Sequence, residues 1–149
     1  MESTALKLVS ETLESKGIRA DIVDDSILKT DWEFAYGRMS LYLQIDEEDT
    51  HVHLEGINFI KIPEDRYMVI YKTLNECNNA YNHVKFVLNT SGPDVGQISA
   101  REDDIIQLES CGPECFEMML RIVRIVEDAY PKFMKVLWSG ENIRLKSDL

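Results

Sequence analysis

At 149 residues the chain suits one domain around a single core, and its 44% hydrophobic and 29% charged residues are a globular composition that excludes a disordered or fibrous chain. A formal charge of −11, with 27 acidic against 16 basic residues, speaks against nucleic acid and anionic membrane surfaces, both of which are held by lysine and arginine. No stretch approaches the roughly 18 apolar residues of a membrane helix, the opening MESTALKLVSETLESKG lacks the basic start and apolar run of a signal peptide, and the odd cysteine count (Cys77, Cys111 and Cys115) points to free thiols in a reducing cytoplasm.

The first segment reads as an amphipathic helix. Leu6, Val9 and Leu13 share one face with Ala5 beside them, while Lys7, Glu11 and Glu14 face water. Ser3 is placed to cap it, and Gly17 to end it in the left-handed conformation. From Ile18 the period falls to two. Ile18, Ala20 and Ile22 predict one strand, Trp32, Phe34 and Tyr36 a second, and Met39, Leu41, Leu43 and Ile45 a third, with a turn at Gly37-Arg38. The acidic run 46–49 closes that strand as a hairpin loop. Val52 and Leu54 then lie on one parity but Ile57 and Phe59 on the other, so a bulge at Glu55-Gly56 is expected.

Pro63 with Glu64 and Asp65 marks a second helix start, followed by the stripe Tyr67, Ile70, Tyr71, Leu74 and Cys77. Asn75, Asn78, Asn79 and Asn82 are read as residues that end it. Val84, Phe86 and Leu88 predict a strand, Ser91-Gly92-Pro93-Asp94 a turn, and Val95 to Ala100 the return. An acidic interruption then precedes a short extension from Ile105 to Leu108. Gly112-Pro113-Glu114 opens the last helix, in which Phe116, Met119, Leu120, Val123 and Val126 form the main stripe and Met118, Ile122 and Ile125 widen it. Pro131 is expected to kink or restart that helix, and the polar tail 139–149 to fray. The fold class is α+β: helix, antiparallel strands, helix, strands, helix, with the helices packed on a mostly antiparallel sheet in one domain, 1–149.

A helix this apolar needs cover on more than one side, from its own core or from a partner. Phe116, Met119, Leu120 and Val123 are the residues expected at such a partner or dimer surface. His51 and His53 put two imidazoles on one face of a strand, and Glu55 could supply a third metal ligand. The plainer reading is a solvent face with Val52 and Leu54 inward, since no other spaced Cys, His or carboxylate completes a metal signature. No metal or other cofactor is therefore expected. Cys111 and Cys115 straddle a helix start, where the dipole can activate a thiol, but neither has an identifiable base nearby. Phosphate-cradling glycine loops, nucleophile elbows and calcium loops are missing from the sequence, so no catalytic residue is assigned and the chain is not expected to be an enzyme.

In the second half, Leu74-Asn75-Glu76-Cys77-Asn78 close a helix and Val84-Lys85-Phe86-Val87-Leu88 lead to a glycine-containing turn. A second strand and an acidic-apolar segment follow, and Pro113-Glu114 open the long apolar helix. Over Leu74 to Trp138 this resembles the YbjN family, which is described in terms of bacterial sensory transduction. The first half agrees in layout. The resemblance implies a type III secretion chaperone-like fold, shared by small, acidic, cytoplasmic proteins that are commonly dimeric and bind extended partner segments, and it carries over no catalytic residue. The resulting expectation is a non-enzymatic, homodimeric protein-binding module, chaperone-like or regulatory. The alternatives are a type III secretion chaperone proper and a metal- or small-molecule-sensing regulator using the His51/His53 face.

Overall fold

The computed structural model describes residues 3–139. The Ser3 Oγ accepts the Leu6 N–H at 3.1 Å and so caps α1 (Thr4–Ser15), which ends at Gly17 with φ +74°. Four strands follow: β1 (Asp21–Asp24), β2 (Ile27–Phe34), β3 (Gly37–Ile45) and β4 (His51–Ile57). A 3-10 turn over Glu64–Arg66 leads into α2 (Tyr67–Ala80), then β5 (Lys85–Leu88) and β6 (Ile98–Ile105). A second 3-10 turn, Leu108–Ser110, leads into α3 (Cys111–Trp138). The strands form one six-stranded sheet in the order β1-β2-β3-β4-β6-β5, antiparallel at every pairing. Inward residues such as Leu41, Leu43, Leu54 and Ile98 meet Leu6 and Val9 of α1, Ile70 of α2, and Met119, Ile122 and Phe133 of α3 in one core. The α+β layout read from the sequence is the one observed.

Several local expectations are corrected. β1 starts only at Asp21, and Ile18 and Ala20 pack half-buried against the core ahead of it. The β2–β3 turn is Ala35-Tyr36 rather than Gly37-Arg38, since Phe34 pairs directly with Gly37. Helix α3 fixes that tip: the Ala35 N–H donates to Glu127 Oε1 at 2.6 Å, and Tyr36 stacks on Tyr130 with ring centroids 4.9 Å apart. The bulge at Glu55-Gly56 does not form. β4 pairs without interruption from Ser40↔Ile57 to Ile45↔Val52, and Gly56 takes an inward position. A Cβ there would lie 2.6 Å from Met39 Cε and 3.3 Å from Leu41 Cδ2, so the glycine makes room for packing and does not break register. The parity change comes afterwards, at Asn58 (φ +67°), where the chain leaves the sheet.

The acidic residues after Ala100 do not interrupt β6, which runs through them to Ile105. Beyond it there is no strand extension; Ile106 turns into the core and Leu108 begins the 3-10 turn. α3 is unbroken across Pro131. Ser139 closes it, donating its N–H to Val136 O, and the rest of the tail expected to fray lies outside the described residues.

α2 continues through Asn75, Asn78 and Asn79, so these do not end it. Asn78 has another task. β5 is an edge strand, and the Asn78 carboxamide pairs with both backbone groups of Phe86, accepting its N–H at 2.7 Å and donating to its carbonyl at 3.0 Å. A side chain thus stands in for the missing neighbour strand. Asn78→Ala removes both bonds, for a loss of about 1–2 kcal/mol that the better helix propensity of alanine only partly offsets. Hydrogen exchange should locate the loss, with faster exchange at Phe86; an unchanged Phe86 amide would contradict the assignment.

Candidate binding surface

The face expected to meet a partner is largely covered by the chain itself. Met119 is fully buried in the core and does not belong to that surface. Phe116 is half-buried, its ring 6.2 Å from Trp32 and under the Lys16 Nζ at 4.6 Å, while Val123 packs half-buried against the core. Leu120 is half-buried. The apolar width of α3 follows from its position: it contacts α1, α2 and strands β2, β4 and β6 at once.

The three thiols are free and buried. Burial pushes Cys115 up to about 12 and raises Cys111 and Cys77 as well, which outweighs any help from the helix start. The structure thus gives these cysteines a packing environment.

The opposite face of the sheet is polar. Residues that alternate with the core positions of β4 and β6 are brought into direct cross-strand pairs by the register His53↔Asp103 and Glu55↔Arg101. His53 Nδ1 lies 2.7 Å from Asp103 Oδ1, and His53 Nε2 lies 3.5 Å from Glu55 Oε1. The Arg101 Nε donates to Glu55 Oε1 at 3.0 Å and its Nη2 to Asn89 Oδ1 at 3.3 Å. His51 turns away to Asp46, with Nδ1 3.2 Å from Oδ2. Both His53 nitrogens therefore face carboxylates, and among the described residues no three His, Cys, Asp or Glu are placed to hold a metal ion. The geometry gives the metal alternative at His51 and His53 no support.

Hydrogen bonding to Glu55, then to Asp103, holds the His53 pKa above its ordinary 6.5 against the cost of partial burial. The hydrogen bond from His53, aided by the Arg101 charge, holds Glu55 below its ordinary 4.5. The raised histidine stabilises the fold fully below 6.5 and loses that contribution as pH rises through its folded value. The depressed carboxylate stabilises above 4.5 and loses its contribution as pH falls through its own folded value. The two overlap most between 4.5 and 6.5, and solvent screening keeps the effect small. NMR titration should place His53 above 6.5, and Asp103→Asn should lower it; a value at or below 6.5 would refute this network.

At one end of this face a cleft of about 340 Å³ opens between β3, β4 and β6, lined by Gln44, Asp46, His51, His53, Asp103 and Ile105 among others. Backbone N–H groups of His51 and Thr50 hold Asp46 at about 2, so it is ionised at any physiological pH. Ile105 is 71% exposed.

Two polar clusters escaped the reading of the sequence. Glu102 sits on an inward position of β6 with its carboxylate buried, and Arg121 of α3 meets it with a bidentate pair, Nε to Oε1 at 3.0 Å and Nη2 to Oε2. The signal was its parity with Ile98 and Ala100, masked by the acidic run around it. Tyr81, just beyond α2, donates its hydroxyl to Asp128 and accepts from Lys132 Nζ at 2.8 Å, fastening α2 to α3.

Among the described residues three helices cover one face of the sheet and none covers the other, an arrangement that can be compared with known proteins. The profile of the YbjN family, described as "Putative bacterial sensory transduction regulator", matches residues 5–128. The chain belongs to the YbjN family. No curated protein sequence matches it significantly. Among solved structures it is similar to YbjN from E. coli, with a TM-score of 0.63 and 10% identity over 85% of this chain and 92% of that one. It is also similar to a chain in the ExsC-ExsE complex, with a TM-score of 0.56 and 16% identity over 93% of this chain and 99% of that one. The type III secretion chaperone-like fold implied by the resemblance is thus the fold observed. Among the described residues no helix is long and apolar enough to cross a membrane.

Proposed function

We propose that this YbjN-family chain is a non-enzymatic protein-binding module, chaperone-like or regulatory, acting in the cytoplasm as a homodimer. The observation that carries the reading is the likeness over 93% of the chain to a structure solved as a protein–protein complex, ExsC-ExsE. The sequence supports it by containing no recognisable catalytic motif. The net charge of −11 favours basic partners over nucleic acid. A narrower reading, a type III secretion chaperone proper, draws on the same likeness, and a gene for a secreted protein beside this one would favour it.

Two experiments test the proposal. Light scattering on the eluting protein at micromolar concentration should give twice the 17.2 kDa chain mass, and a monomer there overturns the homodimer. Tagged protein expressed in its native host should recover the same protein partner in independent preparations. Repeated recovery of none overturns the binding function.

A further inference from the structure

We infer that the cleft at the β3–β4–β6 end of the open sheet face, walled by His51, His53, Asp103 and Ile105, takes a basic partner segment in which Arg or Lys alternates with an aliphatic residue. The inference rests on the protein-binding reading above and adds where the partner sits and what it is made of. Three observations converge on that cleft. First, among the described residues the helices leave this face uncovered, whereas neither sheet edge offers a long, regular strand. Asn78 occupies the β5 edge, and β1 is short, acidic and irregular between Ile22 and Asp24.

Second, the carboxylates of the cleft are met there only by histidines, His51 beside Asp46 and His53 beside Asp103. Asp46 and Asp103 line it, and among the described residues no lysine or arginine does; the Asp104 side chain lies on the helix side, 3.8 Å from Arg121 Nη2. Elsewhere on this face Arg101 is engaged by Glu55 and Asn89, Lys85 by the Asn78 and Tyr81 carbonyls, and Lys29 lies 5.9 Å from the Tyr42 ring, while Arg38 stands opposite Glu33 at the far end of β3. Third, Ile105 gives the cleft an exposed aliphatic wall at the end of a regular strand. A long basic side chain fits both features, its methylene stem against Ile105 and its charged head among the carboxylates. An apolar neighbour two residues along an extended segment would reach the same face.

The probe is a dye-labelled octapeptide of alternating leucine and arginine, with a leucine–glutamate peptide as its counterpart, titrated against the full chain. We expect saturable binding of the arginine peptide only, with amide shifts centred on His53, Asp103 and Ile105. The double variant Asp103→Asn/Ile105→Thr should bind roughly tenfold more weakly, equivalent to about 1.4 kcal/mol. Asp46 is left intact because its carboxylate organises the loop before β4. The variant Glu11→Gln/Glu14→Gln, which removes more charge from the exposed side of α1, should bind as the parent does.

Equal weakening in both variants would mean diffuse attraction to an acidic protein and would overturn the inference. So would shifts centred on the β1 edge, or no binding at all. If the peptide fails while tagged protein still recovers a host partner, this inference falls and the protein-binding reading stands. If neither binds, both fall. Amide spectra of the variants, compared with the parent before titration, separate a lost contact from a lost fold.

Discussion

Arg121→Met should destabilise the domain by about 3 kcal/mol, and adding Glu102→Met should return most of that loss. The Glu102 side chain is 1% exposed on the core side of β6, and its carboxylate is met by the Arg121 guanidinium. Removing the arginine strands an ionised group in the core, an error that typically costs about 3–5 kcal/mol. The Arg121 side chain is 32% exposed, so water can follow into the space it leaves, which puts the expected cost at the lower end. The second methionine removes the stranded carboxylate, and the pair of apolar side chains then packs between α3 and β6. Urea denaturation reads both effects as changes in midpoint at constant slope. A single variant that loses less than about 1 kcal/mol would mean that Glu102 finds another partner or enough water. A double variant as unstable as the single one would mean that the pair supplies geometry that hydrophobic packing cannot replace.

Gly112→Ala should also destabilise, by about 2 kcal/mol, although alanine is the better helix former by about 1 kcal/mol. Gly112 lies buried in the first turn of α3, against α1. A Cβ there would fall 2.1 Å from Thr12 Oγ1, 3.2 Å from Thr12 Cβ and 3.2 Å from the Leu8 carbonyl oxygen. The hydroxyl gives way only by breaking its 3.0 Å bond to Leu8 O, and the carbonyl belongs to the α1 backbone, which yields only if a helix moves. Overpacking therefore outweighs propensity. Thr12→Ala removes the worst contact, and the combination Thr12→Ala/Gly112→Ala should melt well above Gly112→Ala alone. A Gly112→Ala protein as stable as the parent would show that α1 can slide on α3 at little cost.

The element order was legible because most segments keep a clear period. Leu6, Val9 and Leu13 mark a helix, and Met39, Leu41, Leu43 and Ile45 mark a strand without help from any distant residue. What stayed hidden depends on partners far along the chain. Gly56 looked like a bulge because sequence cannot show Met39 and Leu41 filling the place of its side chain. The acidic stretch in β6 looked like a break because the answering charge, Arg121, lies 19 residues away on another element. Asn78 looked like a helix end because its true partner, the Phe86 backbone, is an edge that exists only once the sheet has formed. The breadth of α3 was read correctly as a need for cover, but Met119 finds that cover inside its own core. The pairing of His53 with Asp103 required a register between strands separated by α2 and β5, which no local pattern encodes.

The Asn78 carboxamide also limits how copies of the chain can join. Strand-to-strand assembly needs two usable ends per copy if it is to propagate, and here the middle of the β5 end is already occupied from within. One end remains, at β1. Two copies can meet there once, about a two-fold axis, and the product then presents only its two blocked ends. Growth by this route then stops at a pair, so one asparagine favours closed pairs over open filaments.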